Sequence, residues 1–364
     1  MIKGSSIYYA TDKNIYDALN QSKVDAETIQ TMFRRRNIVC SKLTKREELA
    51  RFFSRLPHDY LDHQDLSNRL GINPRRERVT AVDLLGKLVP MDATQRAIDT
   101  VKSKLESEGD TVRVNQDGCK FYVSVSYSIV DYKRSEFSQL QHRTGVVELI
   151  PESDRYVIRS PKSDYLEIVR DKLVQEILVE VGGGLIRKEI SLYEYPLASV
   201  RSKFFYDLMS DLPGFYRRDV TDVYVYKPLP DEDEDGTTQE EIDPHVERVM
   251  LKGVGVSQSD LLNNLTRDKE YYIVKVGWIA QSVLAKGAGF DIEAAFSNPR
   301  DCTGFSYILR GVYDLGEGNR LSKTRRSPSA SEADVIAKVI EQKARELLIL
   351  LANEDAVEAS NETV

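Results

Sequence analysis

The sequence has few of the residues that build redox centres and metal sites. Only three cysteines occur among 364 residues, and Cys40, Cys119 and Cys302 stand singly and far apart. This excludes a disulfide framework and a CxxC metal site, and it is typical of a reducing compartment, which we expect to be the cytoplasm. The four histidines are scattered along the chain, so we expect no histidine metal cluster.

Long apolar runs and catalytic signatures are also missing. No segment approaches the roughly 18 uninterrupted apolar residues of a membrane span, and the amino terminus has no continuous apolar stretch. The sequence contains neither a Gly-x-Ser-x-Gly elbow nor a Walker A motif. We therefore expect no membrane contact and no cofactor.

Charge of the two signs is distributed unevenly. The chain holds 51 basic and 58 acidic residues, a net charge of −7. Residues 1–90 carry 16 lysines and arginines against 11 acids, whereas residues 231–243 contain eight acids and no base. A uniformly basic nucleic-acid coat is excluded, but a local basic surface near the amino terminus is indicated.

Apolar periodicity indicates an α+β protein: a small helical N-terminal domain, then a mixed or antiparallel sheet body with flanking helices and a C-terminal helix. The expected divisions are a basic helical module at 1–72, a helical connector at 73–110, an α+β body at 111–318 with an acidic flexible loop at 229–245, a basic linker at 319–330, a C-terminal helix at 331–353 and an acidic tail at 354–364.

Within the body, Asp117-Gly118 lies between two alternating runs and predicts a β-hairpin, because both turn residues must tolerate positive φ. Helices are expected at about 162–181 and 196–211, and the C-terminal helix is expected to have an apolar stripe formed by Ile336, Ile340, Ala344, Leu347 and Leu351. Further strand-like runs are 145–150, 155–159, 185–192, 220–226, 246–256, 271–280, 288–296 and 304–315.

The segment from Glu27 to Leu56 resembles the SAP family of helix, extended loop and helix DNA-binding modules. The matching residues are Ile29, Met32 and Phe33 in the first helix, Ile38 in the linker, and Lys45, Arg46, Leu49, Arg55 and Leu56 in the second helix. Asn37 stands where the family usually has glycine. The resemblance covers about 30 residues and implies that this module binds double-stranded DNA.

The same segment is strongly basic on its own. Residues 29–56 hold eight bases against Glu47 and Glu48. Phosphate contacts from such a patch are independent of sequence and sensitive to salt. The candidate DNA-binding residues are Arg34, Arg35, Arg36, Lys42, Lys45, Arg46, Arg51 and Arg55, extended by Arg75, Arg76 and Arg78 if these fold onto the same side. The competing interpretation is a solvated face, or one paired with acids elsewhere in the chain.

A metal-dependent nuclease is the main catalytic alternative. Asp117, Asp131 and Lys133 have the spacing of the PD-(D/E)xK pattern, in which two acids hold Mg²⁺. A continuous strand between the two aspartates would place them roughly 46 Å apart, which disfavours the site.

We therefore expect a non-enzymatic DNA-binding or scaffolding subunit of a multi-protein, bacterial-type system for DNA repair or antiviral defence, with a protein partner subunit. The alternatives are the Mg²⁺-dependent nuclease with its own DNA-binding module, and a pure protein–protein adaptor whose basic patch meets an acidic partner.

Overall fold

The computed structural model describes residues 10–70, 76–134, 136–228, 247–253, 255, 271–283, 287–316 and 320–361. These residues form an α+β protein with antiparallel strands, as predicted. The chain divides into two compact units. The first comprises residues 1–75, 90–147 and 175–180, and the second comprises 76–89, 148–174 and 181–364.

The first unit begins with four helices, which are α1 (Asp12–Leu19), α2 (Ala26–Arg35), α3 (Arg46–Ser54) and α4 (Tyr60–Leu70). Asp25 caps α2, because its carboxylate accepts a hydrogen bond from the Thr28 backbone N–H at 2.7 Å. Lys45 is the N-cap of α3 and makes no side-chain cap hydrogen bond.

Apolar residues of these helices form one buried cluster. Ile29, Met32 and Phe33 of α2 contribute to it, and the Phe33 and Phe53 rings meet edge to face at 5.0 Å between centroids. The predicted apolar stripe of α2 is therefore a core stripe, and the polar side of the helix remains available to solvent.

The first unit continues with α5 (Met91–Ser107), β2 (Thr111–Asp117), β3 (Lys120–Val130) and α6 (Glu136–Gln139). The predicted β2–β3 hairpin is confirmed, but Asp117 pairs with Lys120, so the turn residues are Gly118 and Cys119. Gly118 has a φ of 57°, while Cys119 is not among the residues with positive φ. Positive φ at only the first turn position is typical of a type II′ turn. The two turn residues lie one position later in the chain than the predicted Asp117-Gly118.

The remaining elements are β1 (Val79–Leu85), β4 (Leu140–Pro151), β5 (Arg155–Pro161), α7 (Asp164–Val181), β6 (Ile186–Glu189), α8 (Ala198–Ser210), β7 (Phe215–Tyr226), β8 (Arg248–Lys252), β9 (Tyr272–Ser282), β10 (Gly289–Asn298), β11 (Thr303–Tyr313) and α9 (Ala330–Asn361). Residues 148–151 of β4 belong to the second unit and pair with β5. The hydrogen-bonded strand order of this unit continues from there as β5-β1-β11-β10-β9-β7-β8, and β6 pairs with β1. Strands β4 to β11 each overlap a strand-like run of the sequence.

Helices α8 and α9 pack on the core of the second unit. Phe204, Phe205 and Trp278 are fully or almost fully buried there, together with Ile336 and Ile340 of α9. The predicted apolar stripe of the C-terminal helix is thus confirmed as its buried face.

Three expected segments differ from the structure. The interval 73–110 is not a wholly helical connector, because β1 lies within it and pairs with β5 along its whole length. The interval 319–330 is not a free linker, since Arg326 forms a β-bridge with Val312. Helix α9 continues beyond residue 353 to Asn361. The acidic loop expected at 229–245 lies outside the described residues.

Candidate nucleic-acid interface

The end of α2 shapes the start of the candidate interface. The Asn37 N–H donates to the Arg34 carbonyl at 2.9 Å, and the Ile38 N–H donates to the Phe33 carbonyl at 3.0 Å. Asn37 has a φ of 59°. These bonds form a Schellman motif, in which a left-handed residue ends the helix. Asn37 therefore occupies the conformation for which glycine is usually selected.

Two of the predicted DNA-binding residues are used inside the first unit. Arg36 donates to the Asp62 carboxylate and to His58 Nδ1, and its guanidinium lies over the Phe53 ring. Burial and the neighbouring Arg36 charge lower the pKa of His58, so its ring is a neutral acceptor. Arg46 donates to the backbone carbonyls of residues 20, 21 and 24 at 2.9 to 3.2 Å. Both side chains hold the helices together.

Two further residues that were predicted to bind DNA form surface ion pairs. Arg35 Nη1 lies 3.1 Å from Asp65 Oδ2, and Arg51 Nη2 lies 3.6 Å from Glu47 Oε1. Both arginines are exposed. Surface pairs of this kind contribute at most about 1 kcal/mol, so a phosphate can compete for either arginine.

The remaining four predicted residues of this segment are free. Arg34, Lys42, Lys45 and Arg55 are exposed, and none of them forms an ion pair with any part of the chain that the structure describes. They belong to the end of α2, the linker, and the two ends of α3. We call Arg34, Lys42, Lys45 and Arg55 the free cation set.

The proposed extension of the patch does not add to this set. Arg75 lies outside the described residues. Arg76 donates to the Pro328 carbonyl at 3.2 Å, and Arg78 forms an ion pair with Glu293, both within the second unit. Arg78 is therefore engaged by an acid of the sheet, which is the competing interpretation that the sequence left open.

Apolar side chains lie among the cations, which sequence reasoning missed. Val39 and Leu43 of the linker are 88% and 93% exposed. Ile38, which the resemblance made the linker anchor, is 36% exposed. The available signal was the presence of apolar residues near Lys42 and Lys45, in a segment that lies between the two helices.

The nuclease residues are not brought together. Asp117 ends β2, whereas Asp131 follows the far end of β3, which runs unbroken from Lys120 to Val130. At about 3.3 Å per residue, this strand separates them by more than 30 Å. Asp131 instead pairs with Arg134 at 2.9 Å, and this hydrogen bond lowers the pKa of Asp131. Among the described residues, no group of His, Cys, Asp or Glu is arranged to hold a metal ion.

Side chains with strongly shifted pKa values occur in the second unit, where they fasten α9 to the sheet. Arg159 on β5 contacts Glu341 of α9 at 2.8 Å, and the Tyr307 hydroxyl donates to the same carboxylate. Burial opposes the charge of Arg159, but the acids around it outweigh burial and raise its pKa. Burial and Glu341 raise the pKa of Tyr307. We call Arg159, Glu341 and Tyr307 the α9 clamp.

A second ionic cluster lies across β7, β9, β10 and β11. Arg310 contacts Asp222 at 3.0 Å and Asp291 at 2.8 Å. Gly277 makes this possible, because a Cβ at that position would lie 2.3 Å from Asp222 Oδ2. Each of these charges has a partner, so the cluster joins strands to one another.

No protein-family model matches this chain, and no curated protein matches it significantly. None of the helices that the structure describes is long and apolar enough to cross a membrane.

Proposed function

We propose that this protein is a non-enzymatic subunit that binds double-stranded DNA through the helical segment of its first unit. The observation that carries the proposal is the free cation set. Arg36 and Arg46, from the same basic segment, are held by internal acceptors, whereas Arg34, Lys42, Lys45 and Arg55 are exposed and unpaired among the described residues. An unpaired surface cation binds phosphate without first losing an ion pair.

The proposed contacts are to phosphates and carry no sequence information. Binding would therefore be independent of sequence to a first approximation, and it would weaken steeply with salt as condensed counterions are released. The helix, linker and helix arrangement of α2 and α3 supports the SAP-like interpretation of residues 27–56.

We propose a scaffolding role for the second unit, within a multi-protein system of the repair or antiviral-defence kind. Helix α9 supports this role, because Val335, Ile349 and Leu350 are at least half exposed on a helix whose other face is buried. Ile349 and Leu350 are adjacent, and an apolar patch that remains exposed on a packed helix is a candidate surface for contact with another subunit.

Reversal of the four free cations tests the proposal. The variant Arg34→Glu/Lys42→Glu/Lys45→Glu/Arg55→Glu should reduce affinity for a duplex at low salt by about 100-fold or more, because four phosphate contacts become repulsive. Fluorescence anisotropy with a labelled duplex measures the affinity, and circular dichroism verifies that the helices remain folded.

The matched control is Lys188→Glu/Arg217→Glu/Arg320→Glu/Lys323→Glu. These four residues of the second unit are also exposed and have no ion pair among the described residues, so the change in net charge is the same. We expect this control to retain most of its affinity. Equal losses in both variants would show that net charge, and not the free cation set, governs binding. Cleavage of the duplex upon addition of Mg²⁺ would revive the nuclease alternative.

A further inference from the structure

Two apolar side chains of the linker are almost fully exposed beside free cations. Leu43 is 93% exposed and has Lys42 and Lys45 within two residues of it in the chain, and Val39 is 88% exposed. An apolar side chain this exposed gains almost nothing from folding, because the hydrophobic contribution to stability depends on burial. Both side chains are therefore available to a partner without any loss of packing in the first unit.

The linker is held in a defined conformation. The Schellman motif fixes its first residues, and Cys40 packs against the core cluster of the helices. The Ser41 carbonyl accepts a hydrogen bond from the Thr44 N–H at 3.1 Å, and the Ser41 hydroxyl accepts one from the Leu43 N–H at 3.2 Å. Gln30 on α2 donates to the Ser41 carbonyl at 3.4 Å. The turn thus presents Leu43 to solvent on an ordered backbone.

The adjacent charges indicate what this surface contacts. A partner that covered Leu43 with apolar surface alone would also desolvate the ammonium groups of Lys42 and Lys45, which is unfavourable without acceptors. Duplex DNA offers both chemistries close together, since phosphates line the edges of each groove and stacked base pairs form an apolar interior. The alternation of free cations and exposed apolar residues is complementary to that arrangement.

We propose that Val39 and Leu43 enter the minor groove of duplex DNA and open a base step, while Lys42 and Lys45 bind the flanking phosphates. This inference rests on the proposed DNA binding and specifies how the linker takes part in it. Proteins that insert apolar side chains in this way unstack the step and bend the duplex.

A duplex that contains 2-aminopurine tests the insertion, because the fluorescence of this base rises when it is unstacked. The full-length protein should raise the fluorescence and shorten the distance between dyes placed at the two duplex ends. Val39→Ser/Leu43→Ser should abolish both signals and weaken binding by about tenfold or more, as apolar burial is lost. The dependence of affinity on salt should stay unchanged, because the free cation set is intact.

Leu61→Ser is the matched control, since Leu61 on α4 is exposed to 67% and lies outside the linker. It should leave both signals unchanged. Binding by the wild-type protein without any rise in 2-aminopurine fluorescence would overturn the insertion and leave the proposed DNA binding intact. Full retention of both signals by Val39→Ser/Leu43→Ser would also overturn it. A wild-type protein that does not bind the duplex would contradict the proposed function itself.

Discussion

Asn37 shows how a single backbone conformation fixes the course of the linker. Its φ of 59° allows the two hydrogen bonds that end α2 and turn the chain towards Ile38. Asparagine tolerates this region better than other residues with a Cβ, whereas β-branched residues are strongly disfavoured there. Asn37 therefore provides the left-handed helix end for which glycine is usually selected.

We predict that Asn37→Val lowers the free energy of unfolding by about 1 to 2 kcal/mol, the cost of a left-handed conformation for a residue with a bulky side chain. Asn37→Gly should change it by less than about 0.5 kcal/mol, because glycine adopts this conformation freely. Urea unfolding followed by far-ultraviolet circular dichroism measures both values. Equal stabilities of the valine and glycine variants would contradict the assignment of Asn37 as the left-handed end of α2.

Cys302 illustrates a titrating group that is buried away from any candidate site. Burial raises the pKa of its thiol to about 12, well above its ordinary value of 9.0. In the window between these values the unfolded chain binds fewer protons than the folded protein, so stability should fall as pH rises. Below about pH 9 the contribution of the thiol is fully present.

We predict that Cys302→Ser makes the loss of stability between pH 9 and about 12 shallower, because serine does not titrate in this range. Serine also keeps a donor to the Pro299 carbonyl, which the cysteine Sγ contacts at 3.5 Å. Thermal unfolding at a series of pH values measures the slope, and an identical slope in the two proteins would argue against a raised thiol pKa.

At the scale of elements, the α9 clamp decides how the C-terminal helix is held. Arg159 is 4% exposed and Glu341 is 1% exposed, so neither charge is compensated by water. Removal of one member of a buried ion pair leaves the other uncompensated, which typically costs about 3 to 5 kcal/mol. Glu148 also contacts Arg159 at 2.8 Å and retains part of the compensation.

We expect Glu341→Gln to destabilise the second unit by about 3 kcal/mol, at the lower end of that range. Trp278 is the single tryptophan of the chain and is fully buried in this unit, so its fluorescence reports on this unit alone. The control is Gln342→Ala on the same helix, which removes an exposed hydrogen bond to Glu346 and should cost less than about 1 kcal/mol. Similar shifts of the urea midpoint in the two variants would show that the clamp does not fasten α9.

The sequence patterns located most elements, and the exceptions have physical reasons. Alternation and helical periodicity predicted β4 to β11 and the apolar stripe of α9. Strand β1 was missed because Val79–Leu85 is a short, nearly continuous apolar run, and such a run does not distinguish a central strand from a helix. Residues 319–330 were expected to be a linker because they combine serine and proline with basic residues. Composition does not reveal the β-bridge between Arg326 and Val312, which depends on tertiary structure.

At the scale of the whole molecule, the sequence predicted the location of the basic patch but not which of its cations are free. Arg36 is engaged by Asp62, 26 residues away, and Arg46 by carbonyls at the end of α1. Such pairings depend on the tertiary packing of the helices, which composition does not reveal. The structure reduces eight candidates in residues 29–56 to a free cation set of four and two surface pairs, and it adds Val39 and Leu43.

The net charge of −7 therefore does not exclude binding to DNA. The free cation set is local, and electrostatic attraction to phosphate at ordinary salt decays over roughly 8 to 10 Å. A small group of unpaired cations within residues 34–55 thus matters more for phosphate contacts than the sum of charge over the whole chain.

The affinity of the 364-residue chain for a duplex, measured across salt concentrations, is the decisive test of phosphate binding by the free cation set. If the free cation set makes one phosphate contact per residue, the logarithm of the association constant should fall linearly with the logarithm of salt concentration, with a slope of about −3.6. Contacts from Arg35 and Arg51 would make the slope steeper. Absence of binding at low salt, or an affinity independent of salt, would contradict the account.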